Sequence, residues 1–409
     1  MTFIQCYFAI LIVFFILCLL TKKEYLWIPM CLVVIALAVL AYNWTPNESD
    51  DMVSYMSYVN ILHEGGHEAL ENIMDSNDTY GTYWACTYYF YLVSFLPNSH
   101  FLPFFNIIII YGLNLYVIYS ISKKACISKT NFLIALLFYF STYYYYDAVS
   151  GTRNAISFAL AIFSLYVFLV PKKGKLLGII TAILSIFFHS SGIAIFVLFG
   201  WAFIFYLLVR KRFSKFLAYL IAFFSYQIFI VGAEILANLF PSVAILNTVY
   251  EKSSIYAGMN FFSYVSYVFS ASSTQDTVNF ISCILMVVFF CYYSRFISPK
   301  YSELRNIDIL TVIIGVSVFF AFGCFASILG VRIIRFIFPV LGFIILALGP
   351  TFQKQNYVAL RQKSFAENKV YVLSYDEKLS TYVFLAYVVY IAIYFWYSLT
   401  GSSLVNAYF

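Results

Sequence analysis

Residues 80–96 read Tyr80-Gly-Thr-Tyr-Trp-Ala-Cys-Thr-Tyr-Tyr-Phe-Tyr-Leu-Val-Ser-Phe-Leu96 and are bounded by Pro97. The run is nearly long enough to cross a bilayer, yet it is crowded with Tyr, Thr and Trp. Its placement decides the topology of everything around it. Twelve plainer apolar runs occupy 3–20, 26–42, 101–121, 131–146, 153–170, 176–190, 192–209, 216–236, 279–293, 308–328, 333–348 and 381–400. A helix of about 18 or more apolar residues crosses about 30 Å of hydrocarbon.

Composition gives the class. Of 409 residues 63% are hydrophobic and 10% charged, against about 25% charged in a soluble chain. Backbone groups in lipid must satisfy one another, which leaves helices or a closed barrel. The runs are continuous rather than alternating, so the barrel is excluded. The expected fold is an all-α polytopic membrane protein, one integral membrane domain over 1–409. The stretch from Phe3 to Leu20 lacks a basic leader and a small-residue cleavage site, and is read as the first span. Eight cysteines fall mostly inside apolar runs without a CxxC pair, as small buried hydrophobes do. The net charge of +6 is dispersed between spans and does not point to nucleic acid.

Charge then settles the doubtful run. If 80–96 crosses, Lys22 and Lys23 face one side, and Lys123, Lys124 and Lys129 face the other. If it lies in the interface as an aromatic-rich element, these loops share a side. So do Lys172–Lys175, Arg210–Lys215, the 295–305 turn and the 351–380 loop, which together hold 20 of the 24 Lys and Arg. The positive-inside rule favours that arrangement: twelve spans with both termini outside. Residues 43–100 then form a long outer loop without Lys or Arg. A second outer loop covers 241–278, and 351–380 is cytoplasmic. In the first loop Met52, Tyr55, Met56, Val59 and Leu62 make one apolar helical stripe, suited to lying on the membrane or packing over the bundle. No internal repeat of the transporter kind is evident.

The residues left over are chemically the most informative. Arg153, Lys252, Arg332 and Arg335 fall on the outer side or at outer span ends, where an arginine facing lipid is costly. With Asp50, Asp51, Asp147 and His189 they gather carboxylate, imidazole and guanidinium at one boundary. That set suits a lipid-linked anionic substrate: guanidinium matches phosphate oxygens bidentately, and a carboxylate or His accepts a proton from a hydroxyl. Blander roles stand beside these. Asp50 or Asp51 caps the amphipathic helix, Asp147 pairs with Arg153 across the loop Asp-Ala-Val-Ser-Gly-Thr-Arg, and His189 is a polar cap. Tyr143–Tyr146 and the aromatics Tyr250, Tyr256, Phe262 and Tyr264 either stack on sugars or belong to the interfacial aromatic belt. His63-Glu-Gly-Gly-His67 satisfies HExxH on paper. Its two adjacent glycines oppose the helix a zinc site needs by about 2 kcal/mol, so the segment is expected to be a loop.

Four stretches resemble the EpsG family: Asp-Asp-Met-Val-Ser-Tyr-Met-Ser-Tyr (50–58), Gly-Thr-Arg-Asn-Ala-Ile-Ser-Phe-Ala-Leu-Ala-Ile (151–162), the turn Pro-Lys-Lys-Gly-Lys, and Phe-Phe-His-Ser-Ser-Gly (187–192). The resemblance is best over about 45–200; beyond it, only Arg332 and Arg335 are similar to the family's late arginines. The family comprises bacterial exopolysaccharide and O-antigen polymerases of the Wzy type. The resemblance implies a glycosyltransferase that joins undecaprenyl-diphosphate-linked oligosaccharide repeat units at the outer face of the bacterial inner membrane. It implies no cofactor, and as partners the lipid-linked oligosaccharide, membrane lipid, and a chain-length regulator and flippase of the same pathway. By the same resemblance Arg153, Arg332 and Arg335 bind the substrate diphosphate, Asp51, Asp50 or His189 is the catalytic base, and Asp147 supports them. The alternatives are a flippase for lipid-linked oligosaccharide, for which ionisable groups such as Glu234 within spans are scarce, and another lipid-linked glycosyl- or acyltransferase.

Overall fold

The computed structural model describes residues 3–48, 50–76, 79–171, 173–210, 305–323, most of 332–344 and a few isolated positions between 221 and 250. Every regular element among the described residues is helical: α1 (Phe3–Leu20), α2 (Trp27–Tyr42), α3 (Asp51–Asp75), α4 (Thr79–Thr82), α5 (Trp84–Ser94), α6 (Phe101–Lys124), α7 (Lys129–Thr142), α8 (Tyr145–Ser150), α9 (Thr152–Leu169), α10 (Lys175–Phe188), α11 (Ser191–Arg210) and α12 (Arg305–Gly323). Among the described residues four segments are long and apolar enough to cross a membrane: Phe3–Leu20, Lys23–Tyr42, Phe101–Lys124 and Thr152–Leu169. The proposed spans 279–293 and 381–400, most of 216–236, the ends 324–328 and 345–348 of two further spans, the loop 351–380 and all but Tyr250 of the loop 241–278 lie outside the described residues.

Two compact units divide the chain, one from Met1–Tyr119 and Tyr144–Leu198, the other from Ser120–Tyr143 and the described residues after Phe199. In the first unit α1 shows why these helices belong in lipid. Phe3, Tyr7, Leu11, Phe14 and Cys18 line its buried face, while Ile12, Val13, Ile16, Leu19 and Leu20 are exposed on the other. A helix that is apolar all round needs an apolar solvent on its open side. Tyr145 wedges against α1 and α2: its ring lies 5.0 Å from Tyr7, and its hydroxyl donates to the Leu37 carbonyl at 2.6 Å.

α9 and α10 form an antiparallel hairpin along a seam of small residues. Ser157 Oγ donates to the Ser185 carbonyl and Ser185 Oγ to the Ser157 carbonyl, both at 2.8 Å. One heptad further along each helix, Ser164 Oγ donates to the Gly178 carbonyl at 2.6 Å. A Cβ on Gly178 would meet the Ser164 carbonyl oxygen at 3.3 Å. Close backbone approach of this kind holds helices together where lipid removes the hydrophobic drive.

The run at 80–96 folds as α4 and the eleven-residue α5. At 1.5 Å per residue α5 is about 16 Å long, half the hydrocarbon thickness. It packs against α3, and Trp84 and Tyr89 meet Phe187 and Phe188 at the end of α10 (5.1 and 5.7 Å). The apolar stripe of α3 is buried throughout, so α3 packs over the bundle with this face.

Three local expectations change. The run 131–146 is two elements: α7 ends at Thr142, where Ser141 and Thr142 hydroxyls bond back to the Phe138 carbonyl and Tyr143 turns extended. Asp147 accordingly lies inside α8 rather than in a loop, and Gly151 alone separates α8 from α9. The HExxH segment is helical rather than a loop, broken only at Gly66 (φ 54°, ψ −133°). Of the five described cysteines, all free, Cys18 and Cys86 are buried but Cys31 and Cys126 are exposed.

In the second unit α7 runs antiparallel to the helical positions 332–344, through Phe132–Phe343, Phe138–Phe338 and Tyr143–Phe336 ring contacts of 5.7, 5.8 and 6.1 Å. Gly342 is covered by the Phe138 ring, which leaves no room for a side chain there.

Candidate functional site

Helix directions sort the charges of the first unit by end. Asn106 near the start of α6 bonds to the start of α9, and Tyr116 near the other end of α6 packs on Phe163 and Tyr166, so α6 and α9 run parallel. Tyr119 Oη donates to the Glu24 carbonyl at 3.3 Å, which sets the Lys22–Lys23 turn at the far end of α6. Lys173 and Lys175 lie at that same end, between α9 and α10. The first turn of α9 and the last turn of α10 lie at the other, about 27 Å away by the rise of an 18-residue helix.

At that second end the α8–α9 turn is built by packing. Gly151 N–H closes α8 on the Asp147 carbonyl at 3.0 Å, and a Cβ at Gly151 would sit 2.6 Å from the same oxygen. Buried Asn106 donates through Nδ2 to Thr152 Oγ1 at 2.7 Å and to the Val149 carbonyl at 3.3 Å, while Tyr89 Oη donates to Asn106 Oδ1 at 2.8 Å. A buried amide is costly unless bonded; here every bond it makes pins the turn that carries Arg153.

Arg153 is half-buried and reaches α3. Its Nε donates to Tyr55 Oη at 3.2 Å, and its guanidinium carbon lies 5.4 Å from the Tyr55 ring centroid. Tyr55 is 2% exposed and its ring packs on Phe90 at 5.7 Å. Burial raises the Tyr55 phenol above its ordinary range; Arg153 opposes that rise, and the Asp51 charge adds to it. Burial likewise pushes the neighbouring Cys86 thiol up to about 12, again opposed by Arg153. Both groups therefore stay protonated at neutral pH.

The two adjacent carboxylates are held differently. Asp50 occupies the N-cap position of α3 without a side-chain cap bond; its Oδ2 accepts from Asn47 N–H at 2.8 Å and its Oδ1 accepts from Tyr146 Oη. Asp51, the first helical residue, is exposed and stands one turn before Tyr55 on the same face. Asp147 is buried in the first turn of α8.

His189 ends α10 in an extended conformation and is 5% exposed. Its ring stacks on Tyr83 (5.7 Å, 12°). Ser191 N–H donates to His189 Nδ1 at 3.0 Å, so Nδ1 is the acceptor nitrogen and, in the neutral ring, Nε2 carries the proton. Ser191 Oγ lies 2.5 Å from Nδ1 and 3.1 Å from Asn154 Oδ1, tying the turn to the residue beside Arg153. Gly192 must be glycine, since a Cβ would come within 2.6 Å of the Ser185 carbonyl oxygen. The His-Ser-Ser-Gly sequence is thus a turn that reverses α10 into α11.

Asp50, Asp51, Asp147, Arg153 and His189 therefore share one end of the first unit. Arg332 and Arg335 belong to the second unit, each helical, half-buried and exposed respectively. Tyr143 and Tyr145 are buried in packing, and Tyr250, though helical, belongs with Tyr256, Phe262 and Tyr264 to a segment otherwise outside the described residues. His63 and His67 do not converge: His63 Nδ1 donates to the Ser94 carbonyl at 2.5 Å, and exposed His67 faces Glu71 at 3.6 Å. No group of three potential metal ligands occurs among the described residues.

An all-helical membrane protein is what the described elements define, and its first unit carries Lys22, Lys23, Lys173 and Lys175 at one end and a polar, arginine-centred cluster at the other. The chain belongs to the EpsG family, whose sequence pattern matches residues 26–360. Comparison with curated proteins and with solved structures finds no match.

Proposed function

We propose that the protein is a polysaccharide polymerase that joins undecaprenyl-diphosphate-linked oligosaccharide units at the outer face of the bacterial inner membrane. Twelve spans with 43–100 and 241–278 outside complete the proposed topology. Family membership supports the class, and charge geography supports the face. The observation that carries the reading is Arg153: a guanidinium held at the end of the first unit away from its cationic turns, by a tyrosine one turn from the exposed Asp51.

In the proposed step the acceptor sugar hydroxyl attacks the anomeric carbon of the donor. The new glycosidic bond forms as the bond to the diphosphate oxygen breaks, and the undecaprenyl diphosphate leaves with the electron pair. Arg153 stabilises the charge that grows on it. Arg332 and Arg335 are proposed for the same anion on their chemistry and spacing alone. Asp51 takes the hydroxyl proton. Asp50 has both oxygens engaged in holding α3, and His189 presents a protonated Nε2 while Nδ1 is occupied, so Asp51 is the better base. Asp147 supports the turn that presents Arg153. The donor's own linkage supplies the free energy, and no cofactor is required.

Purified protein given a defined lipid-linked repeat unit tests this by the product ladder on a gel. Wild type extends the ladder, and Arg153→Ala slows extension about 100-fold. If wild type yields no ladder while cells lacking the gene accumulate units on the cytoplasmic side, the protein is a flippase and the proposal fails.

A further inference from the structure

The function just proposed requires Arg153 to meet an anion in one orientation, and an arginine on four rotatable bonds does not hold one by itself. We infer that Tyr55 is the positioning residue that aims Arg153, through its hydroxyl and its ring face together. This inference rests on the polymerase reading for its catalytic consequence, but the pairing itself does not.

Three observations converge on Tyr55. Its hydroxyl accepts from Nε, the one guanidinium nitrogen on the side-chain stem, so the bond fixes rotation of the guanidinium plane. The ring lies beneath the guanidinium carbon, a cation–π arrangement within the usual reach of about 6 Å. The ring itself cannot turn away, because it is buried against Phe90 and sits in the sealed stripe of α3. A phenol raised by burial keeps its proton, so it stays neutral and does not compete with substrate as an anion. The plane of Arg153 is thereby set from α3, the helix that begins with Asp51. Tyr55 thus couples the proposed base and the proposed anion site in one rigid turn. Nothing about position 55 in an apolar stripe marks it out, since Tyr, Met and Val are interchangeable in such a stripe.

Two measurements on the purified full chain test it. The first is the rate at which phenylglyoxal modifies Arg153, read by mass spectrometry of the peptide, in wild type and Tyr55→Phe. The second is a double-mutant cycle of polymerisation rates for wild type, Tyr55→Phe, Arg153→Ala and the pair. Tyr55→Phe keeps the ring and its packing, and thermal melting confirms the fold. The expected results are faster modification of Arg153 in Tyr55→Phe, a fall of about tenfold in kcat with KM changed less than about twofold, and no further loss when Tyr55→Phe is added to Arg153→Ala. Unchanged modification overturns the inference. So does a loss in Tyr55→Phe that adds in full to that of Arg153→Ala, which marks a purely structural role. If wild type makes no polymer while Tyr55→Phe still speeds modification, the pairing stands and the polymerase reading falls.

Discussion

The two halves of α3, before and after Gly66, differ sharply in what they bury. Before Gly66 the helix buries Met52, Tyr55, Met56, Val59 and Leu62, each worth about 1.5–3 kcal/mol over exposure to water. It also carries Asp50, Asp51 and the tyrosine that holds Arg153. After Gly66 only Leu70 is buried, and His67 and Glu71 face each other in the open, their side chains 73% and 67% exposed. One half is built against the bundle; the other extends from it. The lesson is that of the two conspicuous polar motifs on this helix, the one proposed to act is the one that is packed.

That contrast can be broken at several points. Asp51→Asn should slow polymerisation about 1000-fold, within the range for a general base, with melting unchanged. Asp50→Asn should instead cost about 1 kcal/mol of stability through its bonds to Tyr146 and Asn47, and slow the reaction far less. If the two carboxylates exchange these behaviours, their assignment is wrong. Arg153→Ala is the next largest effect, about 100-fold, and Arg153→Lys should recover little because an ammonium has no planar fork. Gly66→Ala tests the boundary itself. The backbone there has φ 54° and ψ −133° with open space around it, so the whole penalty is conformational, about 1–3 kcal/mol in melting. The smallest effect belongs to the outer half: His67→Ala and Glu71→Gln should alter neither turnover nor melting temperature. A large loss of turnover from either would return the HExxH motif to consideration.

Much of the architecture could be read from the chain. Apolar runs marked α1, α2, α6 and α9, and the distribution of Lys and Arg placed 80–96 off the span count. The 11-residue α5 is too short to contradict that. Hydropathy failed where apolar residues continue through a turn: at 131–146 it runs straight past Tyr143, because the tyrosines 143–146 carry the aromatic, apolar run of α7 on into α8. The five polar candidates on the first unit were legible because ionisable groups are rare at span ends. Their supports were not. Asn106 was an available signal, an amide inside an apolar run, where it needs a partner to be tolerated. Among 38 tyrosines, Tyr55 could be read only as part of an apolar stripe and Tyr146 only as one of a tyrosine run. The seam of Ser157, Ser164, Gly178 and Ser185 was visible as small residues at heptad spacing on consecutive helices, but hydroxyl pairing emerges only when the two helices are set side by side.

That seam has a consequence for how the protein is made. The hydroxyls of Ser157, Ser164 and Ser185 all find acceptors within α9 and α10 themselves. The pair therefore carries its polar load into hydrocarbon already neutralised, with no third helix required. In the proposed topology the pair leaves the translocon as a finished hairpin and delivers Arg153 and His189 to the same membrane surface in a single event.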